Sequence, residues 1–296
     1  MKKLFLILCI VILAATPILF AACSRVSQTD MLSDPLIADN AEIYTYKIYH
    51  GTDVIGEMTL TFKKAKTQDV VLPDPTAANN QKVISAFSGT QLSMAYKMDG
   101  VYGNDEGYSE VLYGNDYSPV YSYKHTSVGG TVRDMCVVYE TKYAYTHLYE
   151  NGVETKSAEV KVKNTAHFDN EMLYAIVRAS GISQSSYTMS FYSPNALTAT
   201  RESITVSKVQ EAKLKIPALL TANESEEEEQ GLSCYEFRIA IANTYAKTYS
   251  MFIAKDPITA TFTKDDVEYT VSNVKKAIVT IQEGEYSYIL DRIEVI

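Results

Sequence analysis

The sequence predicts a mainly β fold, an antiparallel sheet accompanied by one short helix. Runs rich in β-branched and aromatic residues recur from residue 43 to the end of the 296-residue chain. Short Gly- and Asn-containing turns separate these runs, which favours hairpins between neighbouring antiparallel strands over helical crossovers. Only one segment has the apolar spacing of an amphipathic helix. Together these observations predict a β meander with one helix packed on the sheet.

The first strands form a hairpin in this interpretation, with residues 43–49 and 54–63 on either side of a turn that contains Gly51. Residues 73–80 are a loop because they are rich in Pro and Asn. Further strands are predicted at residues 83–98, 110–113, 120–125, 131–139, 142–149, 159–163, 187–192, 197–209, 233–242, 250–254, 258–262, 268–271, 277–281 and 286–296.

The helix is predicted at residues 169–181. Asp169 is expected to cap its first turn, and Gly181 is expected to end it in a left-handed conformation. Its apolar residues form one stripe: Met172, Leu173, Ile176 and Val177. Arg178 is expected beside the polar edge. A helix this short needs to pack against an apolar surface, so we expect it to cover one face of the sheet.

The N-terminal segment has the order of a secretory signal peptide. Lys2 and Lys3 are followed by an apolar run from Leu4 to Phe20 and by small residues before Cys23. The segment 19–23 resembles the lipobox of bacterial lipoproteins, with Phe20 where that motif prefers Leu. The resemblance implies removal of residues 1–22 and a thioether lipid with fatty acyl chains such as palmitate on Cys23. Residues 23–40 are then a flexible tether, and residues 41–296 form a β-rich extracytoplasmic domain.

The composition restricts the partners that we expect. The formal charge is −9 and no Lys/Arg-rich cluster is present, so the sequence argues against nucleic-acid binding. Membrane contact is expected through the lipid on Cys23 alone. Cys136 and Cys234 remain in the domain, either as a disulfide or as two separate buried thiols.

No catalytic or metal-binding motif is recognisable, and we expect no enzyme activity, cofactor or metal. His50, His125, His147 and His167 are scattered without zinc-motif spacing. Residues 224–229 contain five Glu, but a contiguous acidic run lacks the geometry of a calcium loop.

One short motif occurs twice. Tyr-Gly-Asn-Asp begins at Tyr102 and again at Tyr113, as two similar hairpin tips or, alternatively, as paired ligand loops at one rim. The high number of Tyr, 23, indicates strand faces that are half-exposed or, alternatively, a surface that contacts sugars or a partner.

Two segments resemble an uncharacterised family of bacterial envelope domains. They are the hairpin that contains residues 46–51 and 55–60, and the glycine-led strand at residues 231–237. The resemblance implies a curved sheet or half-barrel similar to lipoprotein-carrier folds, with the helix on its concave side. We therefore expect non-enzymatic binding of an apolar ligand or an envelope partner. A carbohydrate-binding surface lipoprotein and an envelope hydrolase remain the alternatives. The expected location is the cell envelope, on the outer face of the cytoplasmic membrane or on the outer membrane.

Overall fold

A computed structural model describes residues 41–100, 103–161, 168–179, 186–195, 198–219, 231–242 and 248–296. The signal segment, Cys23, the tether, His167, Gly181 and the acidic run lie outside the described residues. Within them the chain forms seventeen strands and one α-helix. The strands are β1 Ala41–His50, β2 Asp53–Pro73, β3 Gln81–Gly100, β4 Gly103–Gly114, β5 Pro119–Val128, β6 Thr131–Tyr139, β7 Tyr143–Glu150, β8 Val153–Lys161, β9 Phe168–Asp169, β10 Ser186–Asn195, β11 Thr198–Leu214, β12 Leu232–Ala242, β13 Thr248–Ala254, β14 Ile258–Lys264, β15 Val267–Val274, β16 Ile278–Glu283 and β17 Tyr286–Val295.

Fifteen strands form one sheet in the order β8-β7-β6-β5-β4-β3-β2-β1-β17-β16-β13-β12-β11-β10-β9. Neighbouring strands are antiparallel except β9 and β10, and the sheet is not closed into a barrel. The first strand pairs with the last, since β1 lies beside β17. Strands β14 and β15 form a separate two-stranded sheet. The predicted mainly β, antiparallel architecture is therefore confirmed.

The helix also forms where the sequence predicts it. Asp169 accepts a hydrogen bond from the backbone N–H of Glu171, and a 3₁₀ turn over Asn170–Met172 leads into α1, Leu173–Ala179. A second 3₁₀ turn covers Pro217–Leu219. All four residues of the predicted apolar stripe are buried. The face of the sheet that α1 contacts is called the inner face below.

Strands β2 and β3 are twice as long as most of the others because their far ends form a separate flap. Register shifts between Ala65 and Val70 bend the pair, as bulges do. The flap beyond the bend packs on the outer face of the sheet, where the Tyr121 hydroxyl donates to the Pro73 carbonyl at 2.6 Å. A small second core lies between the flap and the sheet and includes Leu72, Leu112 and Cys136.

The sequence left open whether Cys136 and Cys234 form a disulfide, and the structure shows that they do not. Cys136 and Cys234 are both buried and unpaired. Cys136 belongs to the outer-face core, whereas Cys234 belongs to the main core. They are separate buried thiols, and burial raises the pKa of each to about 12.

Candidate functional site

Side chains alternate between the two faces of the sheet along each strand, so every second residue of a strand lies on the inner face. In β1 the inward residues are Glu42, Tyr44, Tyr46, Ile48 and His50, from the chain entry to the turn at Gly51. Tyr44, Tyr46 and Ile48 have no exposed surface, whereas His50 is exposed. The inner face is therefore closed where the chain enters β1 and opens toward the β1–β2 turn.

A group of partly buried tyrosine and methionine side chains lies on the inner face toward the open end. It is called the tyrosine mouth, and its members are Met94, Tyr96, Met98, Tyr174, Tyr249, Tyr286 and Tyr288. All seven are half-buried and pack against the main core. Strand pairing sets their positions: Tyr288 lies opposite Ile48, and Tyr286 lies opposite both His50 and Glu283. On the other side of Glu283 lies Tyr249 of β13.

One contact defines the floor of the mouth, and a second defines one of its walls. The ring of Tyr96 lies across Gly107 of the neighbouring strand, where an added Cβ would be 2.3 Å from Cε1 of the ring. Only glycine leaves room for the ring in this place. The Tyr174 hydroxyl of α1 lies 3.6 Å from Sδ of Met94, so the helix forms one wall of the mouth.

Three phenols of the tyrosine mouth are neutral at physiological pH. Burial raises the pKa of Tyr96 and of Tyr174, and it raises the pKa of Tyr288 to about 12. Nearby carboxylates, including Glu283, raise all three pKa values further. The hydroxyls therefore serve as hydrogen-bond donors and acceptors around an apolar, polarisable surface.

Two carboxylates converge under the N-terminal turn of the helix, next to the mouth. Asp169 is fully buried; its Oδ1 accepts from the Glu171 backbone, and its Oδ2 accepts from Ser122 at 2.6 Å and from Tyr139. Glu171 accepts from Ser109 at 2.8 Å, from Asn170 at 2.8 Å and from Lys124 at 2.7 Å.

The two carboxylates differ in pKa. Burial and the nearby Glu171 raise the pKa of Asp169 to about 6. Burial alone would raise the pKa of Glu171, but Lys124 and its hydrogen bonds outweigh that effect and lower it. Every oxygen of this pair accepts at least one hydrogen bond from the protein, so the arrangement fixes the helix start on strands β4 to β6.

Arg178 holds the other end of the helix, and here the expectation of a place at the polar edge is wrong. Its guanidinium is 1% exposed and contacts Glu42 at 2.7 Å. It also donates to the carbonyls of Lys275 and Lys276 at 3.0 Å and lies over the Phe62 ring at 4.6 Å. These contacts pair the charge of the side chain and engage its Nε and Nη2 inside the core, so it does not need to reach solvent.

The described histidines lie far apart, each beside a carboxylate. His50 lies 3.1 Å from Glu285, and His147 lies 2.9 Å from Glu154. His125 lies 2.8 Å from Asp134, which also accepts from the Tyr123 hydroxyl at 2.6 Å on the outer face. Among the described residues no three His, Cys, Asp or Glu side chains are arranged to hold a metal ion.

The two Tyr-Gly-Asn-Asp motifs do not share a rim. Gly103 begins β4 and Gly114 ends it, so the motifs lie at opposite ends of one strand. A strand of this length separates them by about 35 Å. The alternative of paired ligand loops is therefore wrong, whereas two hairpin tips are confirmed.

Comparison with known proteins gives structural neighbours only. No family model and no curated protein matches the sequence. A solved β-barrel-like protein from Brucella abortus, a domain of unknown function of the DUF1849 class, superposes with a TM-score of 0.52 at 9% identity, covering 88% of this chain and 99% of that one. A protein from Bacteroides fragilis with a YmcC-like fold matches at a TM-score of 0.26 and 10% identity, covering 86% and 96%. The first similarity shows that the chain has a β-barrel-like fold.

No helix in the described ranges is long and apolar enough to cross a membrane.

Proposed function

We propose that this protein is a lipid-anchored extracytoplasmic protein of the bacterial cell envelope that binds an apolar or amphipathic ligand in the tyrosine mouth, without catalysis. Cys23 carries the lipid in this proposal. Strand β1 runs from the closed end of the inner face toward the mouth. Ala41, the first described residue, therefore lies at the end of β1 opposite the proposed ligand site.

One observation carries the ligand proposal. The Tyr and Met side chains of the mouth are only partly buried, whereas inward residues further from the β1–β2 turn, such as Leu92, Met251 and Leu290, are buried. Mouths of β-barrels are common ligand sites, and thioethers and phenols adapt to ligands of varied shape. An apolar chain that entered the mouth would cover surface which water now contacts, with a gain of about 25 cal/mol for each Å² of apolar area.

The two alternative functions have less support from the contacts. A hydrolase needs converging acidic groups that reach a substrate, and Asp169 is fully buried while all its acceptor atoms are occupied. A sugar-binding face needs open, coplanar rings. Tyr143 and Tyr145 on the outer face are tilted by 41°, and the nearly parallel rings of Tyr44 and Tyr46 are buried.

A tryptophan reporter tests the ligand site, because the natural chain contains no Trp. Full-length protein in lipid nanodiscs would carry Tyr288→Trp in the mouth, and a matched variant would carry Tyr145→Trp on the outer face. We expect octanol to change the Trp fluorescence of the first variant in a saturable manner, and that of the second only in proportion to octanol concentration. Equal responses, or no response in the mouth, would contradict the proposed ligand site.

Metabolic labelling with an alkyne analogue of palmitate tests the anchor separately. Wild-type protein and a Cys9→Ser control are expected to incorporate the label, because Cys9 lies in the segment that is removed. Cys23→Ser is expected to incorporate none. If Cys23→Ser were labelled as strongly as the control, the lipid would be attached elsewhere.

A further inference from the structure

One buried carboxylate beside the mouth lacks a hydrogen-bond donor. Asp105 lies on β4 directly opposite Met98 of β3. It is an inward residue, since Ser109 and Val111 of the same alternating series contact the helix and the main core. Asp105 is 6% exposed, and its Oδ1 is buried without a hydrogen-bond partner in the part of the chain that the structure describes.

The position of this carboxylate is fixed by close packing. A Cβ added to Gly100 would be only 1.9 Å from Oδ2 of Asp105, so the carboxyl group occupies the space that a side chain at residue 100 would need. A buried oxygen without a donor is costly, and the cost is greater for a charged acceptor. A bound molecule with an N–H group would remove this cost.

The charges around the mouth favour a cation over an anion. Three inward basic residues of the described chain each lie beside a carboxylate: Lys124 beside Glu171 at 2.7 Å, Arg133 beside Glu150 at 3.4 Å and His50 beside Glu285 at 3.1 Å. Glu283 adds a carboxylate in the row between Tyr249 and Tyr286. Aromatic rings attract a cation through their negative faces, so the tyrosines of the mouth act in the same direction.

We infer that the ligand of the tyrosine mouth is an amphiphile with a protonated amine, which displaces the side chains that cover Asp105 and donates a hydrogen bond to its Oδ1, while the apolar tail lies against Met98 and Tyr96. The inference rests on the proposed ligand site and adds the chemical class of the head group. An amphiphile with an anionic head would instead bring a second acceptor, without a hydrogen to donate, against Oδ1 of Asp105.

Three probes with the same tail test the head group: octylammonium, octanol and octanoate. Each would be titrated into full-length Tyr288→Trp protein in nanodiscs, with Tyr145→Trp as the control for partition into lipid. We expect octylammonium to bind about tenfold more tightly than octanol, which corresponds to one charge-assisted hydrogen bond, and octanoate to bind most weakly. Octanoate binding as tightly as octylammonium would overturn the inference. Absence of binding by all three probes would instead overturn the proposed ligand site.

Asp105→Asn in the Tyr288→Trp protein identifies the residue responsible. It is nearly isosteric, and we expect it to weaken octylammonium about tenfold and octanol less than about threefold. The matched control is Asp99→Asn, because Asp99 is an exposed acid on the adjacent strand near the same turn. Equal effects of both substitutions, or equal losses for all probes, would rule out a specific contact with Asp105. The ranking of the three probes on unsubstituted Asp105 tests the head group even if the variant unfolds.

Discussion

Replacing Arg178 by Met should destabilise this protein more than replacing any exposed basic residue. The side chain is 1% exposed, and its partner Glu42 is 3% exposed. Met keeps most of the apolar stem but removes the cation, which leaves the buried Glu42 side chain without its guanidinium partner while the Tyr44 hydroxyl still donates to it at 2.7 Å. Removing one partner of a buried pair typically costs about 3–5 kcal/mol. In a protein of this size that corresponds to a fall in Tm of about 10 °C.

A surface pair of the same geometry provides the control. Lys264 and Glu294 are also 2.7 Å apart, but Lys264 is largely exposed to solvent. We expect Lys264→Met to change the free energy of unfolding by no more than about 1 kcal/mol, because water screens such pairs. The two pairs have the same N–O distance, but Arg178 is buried and also donates to the carbonyls of Lys275 and Lys276, so the comparison measures what the buried site adds as a whole.

The measurement is urea unfolding of the full-length protein, followed by circular dichroism of the strand signal. The double variant Arg178→Met with Glu42→Gln removes both charges and keeps an acceptor for Tyr44. It should lose less stability than the sum of the two single variants, by at least about 1 kcal/mol. If Arg178→Met cost no more than Lys264→Met, or if the two single losses simply added, Arg178 and Glu42 would not be a buried, coupled pair.

Three further predictions concern single residues. Native Asp169 keeps its proton up to about pH 6, whereas the unfolded chain releases it near its ordinary pKa of 3.8, so the free energy of unfolding should fall as pH rises through this interval. Urea midpoints at several pH values should show that Asp169→Asn lacks this fall. Gly107→Ala should push the Tyr96 ring out of place, lowering stability by about 1–3 kcal/mol and weakening octanol binding in the reporter assay; unchanged binding would contradict the described floor of the mouth. Cys136 and Cys234 should react with a thiol reagent only after unfolding, and non-reducing electrophoresis should show no disulfide that links them.

Turn residues and capping residues predicted several element boundaries well, because each of these features depends only on a few neighbouring residues. The strand at residues 131–139 has the predicted bounds, since Gly129 and Gly130 both adopt positive φ in the turn before it. Asp169 likewise caps its helix through its own backbone neighbours. Strand β8 was predicted only in part, because exposed residues from Val153 onward show no apolar alternation.

The contacts that build the site could not be predicted from such signals. Arg178 meets Glu42 across 136 positions of sequence, and Lys124 meets Glu171 across 47. Each pair depends on which strands lie beneath the helix, and strand order across β1 and β17 is a long-range property. The abundance of tyrosine predicted half-exposed rings in general. Which of the 23 surround the mouth depends on pairing register, because a shift of one residue turns every side chain to the other face.

The open mouth follows from the dimensions of the elements. Inward residues of β1 recur about every 6.8 Å, so five of them span about 27 Å. A helix with its side chains is about 10–12 Å wide. Lying across the strands, α1 covers two or three of these inward rows, which are the rows of Glu42, Tyr44 and their neighbours. The rows nearest the β1–β2 turn lie beyond the width of α1, so their own side chains contribute much of their cover. Tyrosine suits these rows, since it buries a ring while its hydroxyl stays in contact with water or with a ligand.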